Sequence, residues 1–179
     1  MLEVERKFLI KSPLSFQNMK LVWTNAIKVE DMHQFYLNSK KGYTHRLRSL
    51  QKFGGDKVKY LYTIKKTITP GVNEENEKFI SQSEYWNLAE KADKTKAPIF
   101  KTRYTFKHNT QVFELDVFEK ELENLIVLEI ELNDLKDKVY LPPYLTKVKE
   151  VTKLKSYRNS YMAKLALKFN DAGKMLGAI

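Results

Sequence analysis

Carboxylates and cations recur along this chain in like-charge pairs spaced two residues apart. Glu3 and Glu5, Glu75 and Glu77, Glu114 and Asp116, and Glu129 and Glu131 are the acidic pairs, and Arg46 with Arg48 and Lys101 with Arg103 are the basic ones. In an extended strand residues i and i+2 point to the same face, so each pair shares a face. Lys7 continues the face of Glu3 and Glu5, and Lys65 shares one with Thr63 and Leu61. Apolar residues hold the opposite faces: Leu47 between the two arginines, Phe113, Leu115 and Val117 around one acidic pair, and Leu128, Ile130 and Leu132 around another. Carboxylate pairs suit hard divalent cations such as Mg²⁺ or Mn²⁺. Pairs of Arg and Lys suit phosphate oxygens, which a guanidinium binds bidentately. A strand with one wet face also alternates polar and apolar, but such faces usually mix Ser, Thr, Gln, Lys and Glu. Pure acid or pure base pairs repel, most strongly where water is scarce. Their repetition implies an external counter-charge.

The pairs are scattered from residue 3 to residue 131. They act together only if their strands close on a shared interior, which a barrel of about eight strands provides. In that barrel the charged faces line the inside, and the apolar faces point outward under covering helices. Turn signals at Lys40-Lys41-Gly42, Gly54-Gly55-Asp56, Pro70-Gly71 and His108-Asn109-Thr110 mark hairpins. Val58 to Thr67, Thr102 to Lys107 and Gln111 to Val117 are rich in β-branched and aromatic residues and read as strands. Helices are expected over Ser81 to Ala92, Asn133 to Val139 (stopped by Pro142-Pro143) and Ser156 to Phe169. Pro13 to Ala26 fits neither pattern, and about 169–179 reads as a frayed tail. The fold class is α+β on an antiparallel sheet, in a single domain over 1–179.

A net charge of +10 over 179 residues suits an anionic partner. The chain has no cysteine, which excludes disulfides and thiolate–zinc sites. His33, His45 and His108 are too far apart for a helical imidazole motif. The opening Met1 to Lys7 is too charged for a signal peptide, and no apolar run approaches membrane-spanning length. The expectation is a cytoplasmic protein with no membrane partner. P-loop and Rossmann fingerprints are missing, which argues against those ATP sites. The basic residues alternate with acidic strands and carry no RNA- or DNA-binding signature, which argues against nucleic acid.

Glu3-Val4-Glu5-Arg6-Lys7 matches the E-x-E-x-K signature of the CYTH superfamily, the triphosphate tunnel metalloenzymes. Further matches follow in order. Gln34-Phe35-Tyr36-Leu37 resembles its Q-x-Y-L segment, Arg46-Leu47-Arg48 its R-x-R, Thr63-Ile64-Lys65 its T-x-K and Glu75-Asn76-Glu77 its second E-x-E. Lys101-Thr102-Arg103-Tyr104 resembles K-x-R-Y. Asp116-Val117-Phe118 and Glu129-Ile130-Glu131 resemble D-x-F and a third E-x-E, and Glu150-Val151-Thr152 with Tyr157 and Asn159 resembles the closing motif. The resemblance runs to about Lys168. Asn73 and Glu74 stand where the family often has an Arg, Lys153 where an acid is common, and the insert from Gln51 to Lys57 is slightly long. These departures leave substrate preference open.

The resemblance implies an eight-stranded antiparallel closed β-barrel, a triphosphate tunnel, with flanking helices. It implies that Arg46, Arg48, Lys65, Lys101 and Arg103 hold the triphosphate. Glu3, Glu5, Glu75, Glu77, Asp116, Glu129 and Glu131 would hold one or two Mg²⁺ or Mn²⁺ ions. A lysine–tyrosine pair moves protons in short members of the family, and by position that pair is Lys101 and Tyr36. Phosphate binding alone for Lys101, and aromatic packing with Phe35 for Tyr36, are the plainer alternatives. Lys7 becomes a phosphate ligand or a stabiliser of the leaving group. Glu150 and Lys155 are candidates for a tunnel mouth, whereas Glu119, Glu121 and Glu123 read as a solvated hairpin. The expected activity is metal-dependent hydrolysis of inorganic triphosphate. An adenylate cyclase, a thiamine triphosphatase, and a non-catalytic module for polyphosphate or nucleic acid are the competing readings, and a homodimer is compatible with any of them.

Overall fold

The computed structural model describes residues 1–11 and 14–173. The frayed tail expected over about 169–179 lies, beyond residue 173, outside the described residues. The strands are β1 (Leu2–Ile10), β2 (Ala26–Leu37), β3 (Tyr43–Lys52), β4 (Val58–Thr69), β5 (Val72–Ile80), β6 (Ile99–His108), β7 (Gln111–Phe118), β8 (Ile126–Glu131) and the short β9 (Val148–Glu150). The helices are α1 (Phe16–Asn25), α2 (Gln82–Ala89) and α3 (Asn159–Gly173). All strand pairs are antiparallel, in the order β5-β4-β3-β2-β6-β7-β8-β1, and β1 also pairs with β5. That last pairing closes eight strands into the expected barrel.

Closure rests on a short seam. Leu2 to Val4 pair with Val72 to Glu74, and β9 takes over the same edge at Phe8 to Ile10. The β4–β5 turn is pinned to β1, because the Glu5 backbone N–H donates to the Gly71 carbonyl at 2.8 Å. Gly71 has φ +85°, and a Cβ there would meet the Glu5 carbonyl oxygen at 2.8 Å and Thr152 Cγ2 at 2.9 Å. Only glycine combines that backbone conformation with so close an approach.

Apolar residues cover the outer wall of the barrel and also fill one end of its interior. Phe8, Ile10, Phe106, Phe113, Leu115 and Leu128 form one core with Val22 of α1. Phe118, Val127 and Ile99, on the inward faces shared with Asp116, Glu129 and Lys101, form a second with Tyr36 and with Met162, Ala163 and Ala166 of α3 at one end of the interior, and Leu37 and Leu47 form a third, outside, with Tyr85 of α2. Burying each large apolar side chain contributes about 1.5–3 kcal/mol, so the helices packed on the wall and on one end stabilise a barrel whose central cavity is polar.

The region left open in the sequence, Pro13 to Ala26, contains α1, whose first turn is capped where the Asn18 N–H donates to Ser15 Oγ at 3.2 Å. Ser81 and Glu84 form a reciprocal capping box on α2. Asn133 to Val139, expected as a helix, is a set of turns. Asp137 Oδ2 accepts from the N–H groups of Asn133 and Asp134, and Asp134 Oδ1 accepts from that of Lys136. Short acidic side chains that take up backbone donors locally compete with the helix. Lys155 to Tyr157, at the start of the third expected helix, is a single 3₁₀ turn that hands over to α3 at Asn159. Among the described residues no helix is long and apolar enough to cross a membrane.

Candidate active site in the barrel interior

The inward positions of the eight strands meet around a cavity of about 330 Å³. Glu3, Glu5, Lys7, Arg46, Arg48, Lys65, Glu75, Glu77, Arg103, Glu129 and Glu131 line it. It narrows at one end to a chamber of about 70 Å³ lined by Glu5, Lys7, Tyr36, Arg46 and Lys65, with Thr152, Arg158, Asn159 and Ser160 closing it from outside the barrel. Strand alternation thus gathers residues from 3 to 131 into one space. Lys101 and Asp116 face the same interior but are 2% and 0% exposed and lie behind Arg103 rather than on the cavity wall.

The half of the interior carried by β6 to β8, the deep half, is a closed ionic knot. Arg103 donates through Nε to Asp116 Oδ1 at 2.6 Å, and through Nη2 to Asp116 Oδ2 at 2.7 Å and Glu129 Oε2 at 2.8 Å. Its Nη1 reaches Glu114. Lys101 donates to Asp116 and Lys7 to Glu129. Burial alone would raise the carboxyl pKa values, but Arg103 and Lys101 hold Asp116 low, and Lys7 and Arg103 hold Glu129 well below the usual range. Glu129 and Glu5 push Lys7 up against its own burial. Lys101 moves the other way, to about 8, because burial and the adjacent Arg103 outweigh Asp116.

The half of the interior carried by β3 to β5, the open half, is looser. Lys65 Nζ lies between three carboxylates: Glu3, Glu5 at 3.3 Å and Glu75 at 3.4 Å. Arg46 reaches Glu75 at only 3.5 Å, and Arg48 pairs with Glu77, which also accepts from Thr63 Oγ1 at 2.8 Å. Arg46 Nε, Arg48 Nε and Glu75 Oε2 are buried and make no hydrogen bond. Burial and the neighbouring Arg46 lower Arg48 to about 10. Burial, then Glu5, raise Glu3, and burial, then Glu114 and Glu5, raise Glu131. The register explains that strain, since Glu131 lies directly opposite Glu5, and Glu114 opposite Glu129. Like charges opposed across strands destabilise a sheet.

Tyr36 faces inward at the narrow end, away from Phe35, which packs on Tyr85 outside. Its hydroxyl accepts from Gln34 Nε2 at 3.2 Å, and burial raises its pKa to about 12. Among the described residues no hydrogen bond joins Tyr36 to Lys101. Glu150, a candidate for the tunnel mouth, sits on the outer face and pairs with Arg6 at 2.6 Å. Three contributors escaped the sequence reading of the site. Glu30 is buried and paired with Lys28 at the cavity rim. Glu114, though seen as half of an acidic pair, was not counted in the site. Asn73 donates to Glu3 at 3.1 Å and to Glu5 at 3.5 Å.

Interior charges nearly balance. Six cations (Lys7, Arg46, Arg48, Lys65, Lys101 and Arg103) face eight acids (Glu3, Glu5, Glu75, Glu77, Glu114, Asp116, Glu129 and Glu131). The net +10 therefore resides outside the tunnel. Such an interior can take up a polyanion on its guanidinium groups and a divalent cation on its carboxylates. The donor chemistry fits Mg²⁺ or Mn²⁺: all-oxygen ligands, with Lys65 already standing as a cation among three of them. Among the described residues no three acidic or imidazole side chains are disposed to hold a metal as they stand, so an ion requires these carboxylates to shift off lysine.

The CYTH domain matches residues 1–166. The chain belongs to the CYTH domain family. Its CYTH fold is similar to the crystal structure of the inorganic triphosphatase NE1496, with TM-score 0.55 and 27% identity over 90% of this chain and 94% of that one. HpAC1 from Hippeastrum, an adenylyl cyclase candidate described as having a dominant triphosphatase activity, shares the fold at TM-score 0.53 and 16% identity, over 74% of this chain and 80% of its own. PH1819 from Pyrococcus horikoshii shares it at TM-score 0.56 and 16% identity, over 99% of this chain and 91% of its own. No curated protein sequence matches the chain.

Proposed function

We propose that this CYTH protein hydrolyses inorganic triphosphate, with a divalent metal, inside the barrel. The observation that carries the reading is the pair of buried, unpartnered Nε donors on Arg46 and Arg48, which line a cavity of small-polyanion size. A buried donor without an acceptor costs about 1–3 kcal/mol, and phosphate oxygens supply the acceptors. The inorganic triphosphatase NE1496, at 27% identity over most of both chains, supports the same activity.

In this reading Arg46 and Arg48 bind the phosphate chain, and Lys65 exchanges its carboxylates for phosphate oxygens. The freed Glu3, Glu5 and Glu75, with Glu131, hold Mg²⁺ or Mn²⁺; when bound, the ion supplies positive charge to the phosphate oxygens and acidifies water. Asp116 and Glu129 serve differently, by fixing Arg103 and Lys7 so that these cations face the substrate without reorganising as charge develops. Lys7 neutralises charge on the leaving phosphate. Tyr36 stays protonated at neutral pH and donates a hydrogen bond at the narrow end. Lys101, with its pKa near 8, takes up the proton released as water attacks, relayed through the knot. Phosphate release from inorganic triphosphate, ATP and thiamine triphosphate, each with Mg²⁺, with Mn²⁺ and with chelator, tests the reading. Fast metal-dependent release from inorganic triphosphate is expected, and no release from folded protein would refute it.

A second reading rests on one feature. Met32 and Leu50, paired one row beyond Arg48, and Leu61 and Phe79, paired in the row of Arg48 itself, face inward on β2 to β5 and form a staggered apolar row at the open mouth. That row suits the base of a nucleoside triphosphate. Cyclic AMP formation from ATP exceeding phosphate release would favour the cyclase.

A further inference from the structure

Asn73 is a buried amide, 4% exposed, among the acids of the open half. Its place follows from the closure of the barrel. The Glu5 N–H holds the Gly71 carbonyl, and two residues later Asn73 pairs with Glu3 across the short seam between β1 and β5. Strand alternation then turns Asn73 inward, on the face of Glu75 and Glu77. Its Nδ2 donates to Glu3 Oε2 at 3.1 Å and to Glu5 Oε1 at 3.5 Å. An amide nitrogen carries two protons, one for each carboxylate, whereas an amide oxygen in that place would face two anions. Lys65 Nζ reaches the same two oxygens, Glu3 Oε2 and, at 3.3 Å, Glu5 Oε1. One pair of carboxylate oxygens thus has two holders, one charged and one neutral. When Lys65 turns to a phosphate, the neutral holder remains.

We propose that Asn73 is a positioning residue for the cation site, holding Glu3 and Glu5 side by side with both charges intact for a divalent metal. The inference rests on the triphosphatase reading, in which Lys65 leaves these acids, and adds a residue that reading does not use. Two buried carboxylates on one face repel, and with no cation between them they would turn apart. A hydrogen bond to a ligating carboxylate fixes its orientation, and such outer partners bear strongly on metal affinity. An amide is suited to this task because it tethers without neutralising. A lysine at position 73 would tether the same oxygens but add a positive charge that competes with the metal, and an apolar residue would not tether them at all. Asn73 therefore acts on the cation through Glu3 and Glu5, and not on the phosphate chain.

The test compares wild type with Asn73→Leu, which keeps the volume and loses the donors, and with Asn73→Lys, which keeps a donor and adds charge. Mn²⁺ binding is titrated without substrate by electron paramagnetic resonance. The Mg²⁺ dependence of tripolyphosphate turnover is measured alongside, as is tripolyphosphate affinity in chelator by calorimetry. Circular dichroism checks the fold, and if Asn73→Leu does not fold, the smaller Asn73→Ser takes its place in every comparison. Asn73→Leu is expected to raise the Mn²⁺ Kd and the half-maximal Mg²⁺ concentration by about tenfold or more. Its tripolyphosphate affinity in chelator, and its kcat at saturating Mg²⁺, should be nearly unchanged. Asn73→Lys should weaken Mn²⁺ binding as well, while tightening tripolyphosphate binding in chelator. An unchanged metal requirement in Asn73→Leu overturns the proposal. An equal loss of tripolyphosphate affinity does so too, because Asn73 would then be a phosphate ligand or a merely structural residue. Asn73→Lys that binds Mn²⁺ as tightly as wild type removes the argument from neutrality and overturns it. Wild type that binds Mn²⁺ but cleaves no tripolyphosphate sinks the proposed function, and the Asn73 claim is then decided by the Mn²⁺ titrations alone. Wild type that binds no Mn²⁺ and turns over without metal sinks the Asn73 claim while leaving a triphosphatase.

Discussion

Arg103 and Arg48 are both buried guanidinium groups on the same inner wall, yet they are treated in opposite ways. Arg103 spends its donors on three carboxylates, with two bonds to Asp116 and one each to Glu129 and Glu114. Arg48 has Glu77, a repelling neighbour in Arg46, and an Nε with no partner. The Lys65 cluster resembles Arg48: three carboxylates share one ammonium at distances that reach 3.4 Å. A saturated ion network holds its own geometry, whereas an unsaturated one is stable enough to form and loose enough to trade partners. The deep half thus behaves as scaffold and the open half as binding surface, although both are written in the same residue types.

Removing one partner from each half breaks or sharpens this contrast most directly. Asp116→Ala strands Arg103 and Lys101 in the deep half, and losing one side of a buried ion pair costs about 3–5 kcal/mol. Glu75→Ala removes a carboxylate that makes only long contacts, and its cost should stay within about 1 kcal/mol. Urea denaturation of both variants measures the difference. Similar losses would erase the distinction between scaffold and surface.

The second contrast is in activity. Arg48→Ala should lower kcat/KM on inorganic triphosphate by about 100-fold or more, the usual effect of deleting a preorganised donor to developing charge. Its denaturation midpoint should hardly move. A large fall in stability with intact turnover would place Arg48 with Arg103 in the scaffold. Glu3→Gln should act on the metal rather than on the substrate. Its carboxyl is destabilised by burial and by Glu5, as a site awaiting positive charge should be. The Mg²⁺ concentration for half-maximal rate is expected to rise about tenfold, and an unchanged requirement would remove Glu3 from the cation site.

Which residues share a face was legible from i, i+2 spacing alone, and so was the need for closure, because paired charges on six scattered segments have no other common space. Depth was not legible. Glu114 and Asp116 look equivalent in the sequence, but strand tilt puts one at the rim and the other, with no exposure, against Arg103. Lys28 and Glu30 escaped because they form a mixed pair, indistinguishable from an ordinary wet face. Asn73 escaped because an amide carries no charge signal, although it sits where it can tether Glu3 and Glu5. The turns over Asn133 to Val139 were misread for a local reason: Asp134 and Asp137 tie the N–H groups of Asn133, Asp134 and Lys136 into local turns that compete with a helix.

The smallest expected effect separates the two halves by pH. Lys101 is shifted down to about 8 from an ordinary value near 10.5, chiefly by burial and then by Arg103. Below about 8 it is protonated in both folded and unfolded chains, and the full cost of burying its charge is present. Between about 8 and 10.5 the folded chain has released the proton while the unfolded chain still binds it. Stability from this group therefore rises with pH across that window, by at most about 1.4 kcal/mol per pH unit. Arg48, lowered to about 10, adds a slope of the same sign only at the top of the window. Tyr36, raised to about 12, contributes the opposite sign, and only above about 10. The interval from pH 8 to 9.5 thus reads Lys101 with least interference. Lys101→Met should flatten the rise in Tm there, while Asp116 keeps Arg103 and the barrel stays folded. If Lys101→Met leaves the slope intact, Lys101 remains charged in the folded protein, and its part in the deep half is to hold Asp116 rather than to carry a proton.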